Sequence, residues 1–259
     1  MERKYELLDE AFSFYPENSG NGRTHVYRIK ALKDFVCSGQ IIKTGDLGGY
    51  IESEHNLSQK GDCWVFDGAV VCHNARIRQN AAVCAGAIVA DDALVFGDAI
   101  VADAYVYGKA KISGRAFVAS AIVDGEAKVY GDAYVKGNGP WYDSDYGFDR
   151  RWVMRVGNSL EFDTSEREEL AIFDNAEVYD HAEVIGCVSV HGQAKVRGNA
   201  KVSGGIYAWT WIYENAIVSG HAIVRIGHIH GRALVSYNAK VLRGEKDICG
   251  DTVYDYIDE

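Results

Sequence analysis

The chain has 259 residues, with 27 Lys and Arg against 37 Asp and Glu, a formal net charge of -10. That balance repels phosphate backbones and anionic membrane surfaces, which excludes a general nucleic-acid polymer or membrane partner. At 47% hydrophobic and 25% charged the chain is too apolar for disorder, while 28 Gly against 2 Pro point to many tight turns between hydrogen-bonded strands.

Residues 1–60 lack the repeat that dominates the rest and are expected to form an N-terminal β cap. Val26 to Leu32 predicts a strand, and Thr44 to Tyr50 a turn-rich return. No apolar signal core follows Met1, and no run reaches the length of about 18 apolar residues needed to span a bilayer, so the chain reads as cytoplasmic. Cys37, Cys63, Cys72, Cys84, Cys187 and Cys249 form no Cys-x-x-Cys and fit no zinc spacing. Reduced thiols are expected, and no metal.

From Ala69 onward Ala-x-Val triplets recur, at Ala69, Ala75, Ala81, Ala87, Ala93, Ala99, Ala104, Ala110, Ala116, Ala121, Ala127 and Ala133. Steps are mostly six with occasional fives, so 99 to 116 and 116 to 133 both close at 17 residues, and three short strands make one coil. The pattern resumes at Ala176 and Ala182 and returns at Ala216, Ala222, Ala233 and Ala239. Residues two apart share a strand face, so Ala and Val point inward while Arg76, Lys111, Lys128, Glu177, Glu183, Lys195 and Lys201 point to water. Such a period predicts an all-β triangular parallel solenoid of about eight coils, its halves at 61–137 and 170–243 separated by an inserted loop at 138–169. Residues 244–259, ending in Asp258 and Glu259, are expected to cap the other end.

Hexads of the form Val-x-Gly-Asp-Ala-x, such as Val95-Phe96-Gly97-Asp98-Ala99-Ile100, resemble the left-handed parallel β-helix of the hexapeptide-repeat superfamily over about two thirds of the chain. The segment Lys43 to Glu52, continued by Leu57 to Val65, is more specific. It is similar to the opening of YdcK-like hexapeptide-repeat proteins, a bacterial group with many phage and prophage members. The left hand is implied by that resemblance, since crossovers are otherwise right-handed. The resemblance also implies homotrimers with sites between subunits, and two enzyme chemistries. One is acyl transfer from a coenzyme A or carrier thioester with a His general base; the other is zinc-dependent carbonic anhydration with three His on neighbouring coils. Neither chemistry maps onto this chain residue by residue.

Candidate residues come from parity and spacing. His25 and His55 lie in the cap, and His73, His181, His191 and His221 have no His one coil away, which disfavours a metal site. His228 and His230 are placed outside on one strand, with Trp211 and Tyr213 17 residues earlier. In the run 206–213, Tyr207, Trp209, Trp211 and Tyr213 alternate with an inward set, so four aromatics face outward and something is expected to pack on them. That is either a partner subunit, the inserted loop, or a planar ligand. Within the loop, Trp141, Tyr142, Tyr146, Phe148 and Trp152 accompany Arg150, Arg151 and Arg155, a composition suited to phosphate and a base, although Asp143, Asp145 and Asp149 offset the arginines. Ile100, Phe117 and Tyr134 form an outward column suited to oligomerisation. Cys72-His73-Asn74 is no nucleophile and base, because adjacent letters need not meet in space.

Three functions remain. The first is a non-catalytic trimeric protein, without cofactor, that holds a small anionic, nucleotide-like molecule through these aromatics, His and Arg; a phage-borne sequestering protein would be one form of it. The second is a coenzyme A-dependent acyltransferase with His228 or His230 as base, and the third a structural scaffold.

Overall fold

The structure, a computed structural model, describes residues 3–16, 21–138, 170–205, 208–242 and 247–250, and the strands at 153–156, 159–162 and 253–254 by backbone alone. Every regular element among the described residues is a β-strand, and parallel coils stack into a β-solenoid. The chain forms two compact units, Met1–Gly114 with Trp141–Glu166, and Arg115–Pro140 with Arg167–Glu259.

In the first unit Tyr5–Phe14 pairs antiparallel with Thr24–Ala31, which pairs antiparallel with Leu47–Ile51. Leu47–Ile51 then pairs in parallel with Val70–Val71, so this one strand converts an antiparallel cap into a parallel coil and covers an otherwise open edge. Gly48 makes the close approach possible. A Cβ there would lie 2.6 Å from the Val65 carbonyl oxygen. Trp64–Val65 pairs in parallel with Ala82–Cys84, so a coil strand precedes the first Ala-x-Val triplet at Ala69. Trp64 is buried and edge-packed against Phe35, with ring centroids 5.3 Å apart. Within 138–169, Val153–Val156 and Ser159–Phe162 form an antiparallel hairpin that extends the cap sheet through Ser13↔Ser159 and Phe14↔Leu160.

The second unit has three parallel walls. One runs through Ala121–Val123, Leu170–Ile172, Val188–Val190, Thr210–Ile212, Gly227–Ile229 and Asp247–Ile248. Interior positions are filled by Ala and Val at 0% exposure, as at Ala176, Val178, Ala194, Val196, Ala216 and Val218. Each buried Val contributes about 1.5–3 kcal/mol of transfer free energy before the entropy of ordering is subtracted. The intervening Lys128, Glu177 and Lys195 stay outside and pair with one another, at 2.8 Å for Lys128–Glu177 and 3.5 Å for Lys195–Glu177.

Besides the coil interrupted at 138–169, one coil of this wall departs most from the period. Val188 pairs with Thr210, 22 residues on, whereas Thr210 pairs with Gly227 after 17. The surplus is an excursion closed by the Gly205↔Ala208 bridge, in which Gly205 N donates to Ala208 O at 2.9 Å. Ala216 consequently sits over Ala194 rather than over Ala200, since Lys195 N bonds to Ala216 O. A 200 to 216 step that looks one residue short in sequence is part of this longer coil.

Candidate functional site

The long coil fixes the phase of the outward rings. Thr210 and Ile212 are fully buried, so Trp211 between them and Tyr213 beyond point outward and are half-buried. One coil later Gly227 and Ile229 are buried, leaving His228 and His230 outward, with Trp211 paired to His228 in register. Trp209 is half-buried, 5.7 Å from Trp211 between ring centroids.

Four rings stand in a column along one edge of this wall. Phe173 stacks on His191 at 4.7 Å, His191 on Tyr213 at 5.2 Å, and Tyr213 on His230 at 4.8 Å, all within 6° of parallel. Trp211 lies 6.2 Å from His228 with the planes 24° apart. Coils one strand spacing apart bring like positions to stacking distance, so the column is the ring-sized version of a cross-strand pair.

Carboxylates border the column. His230 Nε2 lies 2.6 Å from Asp247 Oδ1, and Nδ1 is 3.9 Å from Glu214 Oε2. Glu214 Oε2 is itself held by the Gly231 N–H at 2.7 Å, and Asp174 Oδ2 by the Gly192 N–H at 3.0 Å. Burial lowers the His191 pKa from its ordinary value, against the opposing pull of Asp174 and Glu214. Burial also raises the Tyr213 phenol, with Asp247 and Glu214 acting in the same direction. Asp247 fixes the proton of a neutral His230 on Nε2, which leaves the Nδ1 lone pair as a proton acceptor.

Of the residues singled out in the sequence, the structure gathers Trp209, Trp211, Tyr213, His228 and His230. It adds Phe173 and His191, which a fixed step of 17 could not reach because the long coil separates His191 from Tyr213, and it adds Glu214 and Asp247, the latter one 17-residue step from His230 but assigned by the sequence to a terminal cap. Trp141, Tyr142, Arg150, Arg151 and Trp152 lie outside the described residues. The backbone of Arg155 belongs to the hairpin strand of the first unit, and Leu160 is its partner. Phe117 and Tyr134 stack at 5.1 Å, and Ile100 pairs with Ala82 in the first unit. His73 Nδ1 approaches Asp91 Oδ1 at 3.4 Å, while Cys72 beside it is fully buried with its thiol pKa raised by desolvation. No group of three or more His, Cys, Asp or Glu suited to a metal occurs among the described residues.

These features define a β-solenoid of hexapeptide-type repeats with a His, carboxylate and aromatic column on one outer edge. No family model matches the chain. Over 83 residues it is 35% identical to a protein of Escherichia coli (strain K12) named uncharacterized acetyltransferase YdcK. That stretch is 29% of this chain and 24% of the relative, so the chain spans about a quarter of the curated protein it matches. The solenoid and this similarity fit a hexapeptide-repeat protein.

Proposed function

We propose that the chain is a hexapeptide-repeat acyltransferase in which His230 is the general base. The observation that carries this reading is the 2.6 Å contact from His230 Nε2 to Asp247, the carboxylate orienter that such a base requires. Nδ1 takes the proton of an acceptor amine or hydroxyl as the acceptor oxygen or nitrogen attacks a thioester carbonyl. The C–S bond breaks, the His230 imidazolium returns that proton to the sulfur, and coenzyme A leaves as the thiol. The printed name of the Escherichia coli relative supports the same chemistry, and a left-handed helix, a homotrimer and a cytoplasmic setting belong to the proposal.

A second reading is favoured by the half-exposed rings: Trp209, Trp211 and Tyr213, with His228 and His230, bind a small molecule without turning it over. Sequestration of an anionic nucleotide, assisted by Arg150, Arg151 and Arg155, is its sharpest form. Asp174, Glu214 and Asp247 weigh against an anion at the column itself and favour a neutral or cationic acceptor.

The test is release of free coenzyme A from acetyl-coenzyme A against a panel of amine and hydroxyl acceptors. Saturable release that falls by about 100-fold or more in His230→Ala is expected. Tight metabolite binding with no release in any acceptor would hand the site to the second reading.

A further inference from the structure

In the first unit Lys4 is 0% exposed, and lysine is almost never fully buried without a compensating partner. Its partners among the described residues are two carbonyls and a thiol, with no bonded carboxylate. Nζ donates to Cys63 O at 2.7 Å and to Gly61 O at 3.1 Å, and lies 3.3 Å from Cys63 Sγ. The Phe35 ring is 5.6 Å away. Cys63 is also 0% exposed.

Burial holds the Lys4 amine below the ordinary lysine range and pushes the Cys63 thiol up, while the two groups partly offset this by attracting each other's charged forms. A neutral amine has the lone pair that an ammonium lacks. It can therefore act as a base toward the thiol and as a nucleophile toward an oxidised neighbour.

We propose that Lys4 and Cys63 are joined by hydrogen peroxide into a reversible Nζ–O–Sγ cross-link. In the first step the sulfur attacks peroxide and the O–O bond breaks. Lys4 relays the thiol proton to the departing oxygen, giving a sulfenic acid and one water. In the second, the amine lone pair takes oxygen from another peroxide, giving a hydroxylamine and one water. Condensation of the hydroxylamine oxygen onto the sulfenyl sulfur expels a third water and forms the S–O bond. In sum one amine, one thiol and two peroxides give the bridge and three waters. A direct N–S bond would require the atoms to close to about half their present separation in a packed interior, whereas an inserted oxygen spans most of the existing gap. Two equivalents of a phosphine and one water return the amine and the thiol, with two phosphine oxides.

The bridge would join Lys4, just ahead of the cap strand Tyr5–Phe14, to the corner at Gly61–Cys63, closing a loop whose ends are 59 residues apart. Both atoms are buried, so the rate follows local opening of the cap. The reaction is slower than oxidation of the exposed Cys249.

The experiment is peroxide treatment of the intact protein followed by peptide mapping, with oxidation of Cys249 as the internal sign that the reagent acted. The expected product is a linked pair of peptides containing Lys4 and Cys63, heavier than their sum by one oxygen and lighter by two hydrogens. Phosphine should reverse it, Cys37→Ser should retain it, and linked protein should melt at a higher temperature. A Cys37–Cys63 disulfide, a sulfinic acid at Cys63 without linkage, or Lys4 and Cys63 still unchanged when peroxide treatment is prolonged far beyond complete oxidation of Cys249, under mild denaturant that opens the cap, would each overturn the proposal. The wild-type result decides the matter even where Lys4→Met or Cys63→Ser fails to fold.

Discussion

Replacing Thr210 by Val keeps the shape of the side chain and removes one hydroxyl that the phase of the ring column depends on. Thr210 is fully buried; its Oγ1 donates to Ser203 O at 2.7 Å and accepts from Ile226 N at 2.9 Å. Ile226 has a φ of 62°, a left-handed conformation that costs an L residue about 1–2 kcal/mol and is hardest for β-branched side chains. That corner places Gly227 and Ile229 inside and so turns His228 and His230 outward. In Thr210→Val the half-buried Ser203 carbonyl and Ile226 amide lose this partner, and a buried group left wholly without one would cost about 1–3 kcal/mol. Ile226 N and Ser203 O keep a 3.4 Å contact with each other, so the expected loss is that of two hydrogen bonds, about 1–3 kcal/mol. Urea denaturation followed by circular dichroism and by tryptophan fluorescence measures it as a lower midpoint at unchanged slope. A loss below about 0.5 kcal/mol, the range of inert surface changes, would show that the hydroxyl does not hold the corner.

The remaining predictions probe the corner, the interior and the column. Ile226→Gly removes the left-handed strain and is expected to raise the unfolding free energy by about 0.5 kcal/mol after the entropic cost of glycine, read as a higher urea midpoint. Ala194→Leu puts a branched side chain into a fully buried corner and should lower stability by about 1–3 kcal/mol, read as a lower melting temperature. Burial depresses the folded-state pKa of His191. The unfolded chain therefore binds a proton first as pH falls through the ordinary imidazole range, and stability drops toward the lower folded value while being complete above that range. His191→Gln should flatten this part of the stability–pH curve. Tyr213→Phe keeps the stacked ring while deleting its hydroxyl; it should leave the melting temperature unchanged and weaken acceptor turnover, and equal loss of both would mean that the hydroxyl is structural.

The solenoid was legible because its signal is redundant. Small residues at a six-residue step, with Val two positions later, state the inward face many times over, and a single irregular step does not erase it. Val26 to Leu32 likewise predicted the cap strand found at Thr24–Ala31. The parity of Thr210 and Ile212 against Trp211 and Tyr213 was readable for the same reason: alternation is local. What escaped was long-range phase. The five residues by which the Val188–Thr210 step exceeds the next are backbone geometry with no side-chain signature, and they separate His191 from Tyr213 in any fixed-period alignment. Lys4 and Cys63 were invisible for a different reason, since their meeting depends on how the cap strand crosses the first coil.

The column also limits how a ligand can be met. His191 has Phe173 on one face and Tyr213 on the other, and Tyr213 has His191 and His230. Ring faces spent on one another are closed to a planar ligand, so the inner members offer only their edges: imidazole nitrogens and a phenol. Glu214 and Asp247 stand beside those edges, Glu214 anchored by a backbone amide and Asp247 by the imidazole. A site of ring edges and carboxylates selects for hydrogen-bond donors that approach from the side. That arrangement suits the proposed acceptor amine or hydroxyl approaching His230, and it is poorly matched to a stacked nucleobase with phosphates. If a planar ligand binds this edge at all, Trp209 and Trp211, which lie outside the parallel stack, are the rings available to it.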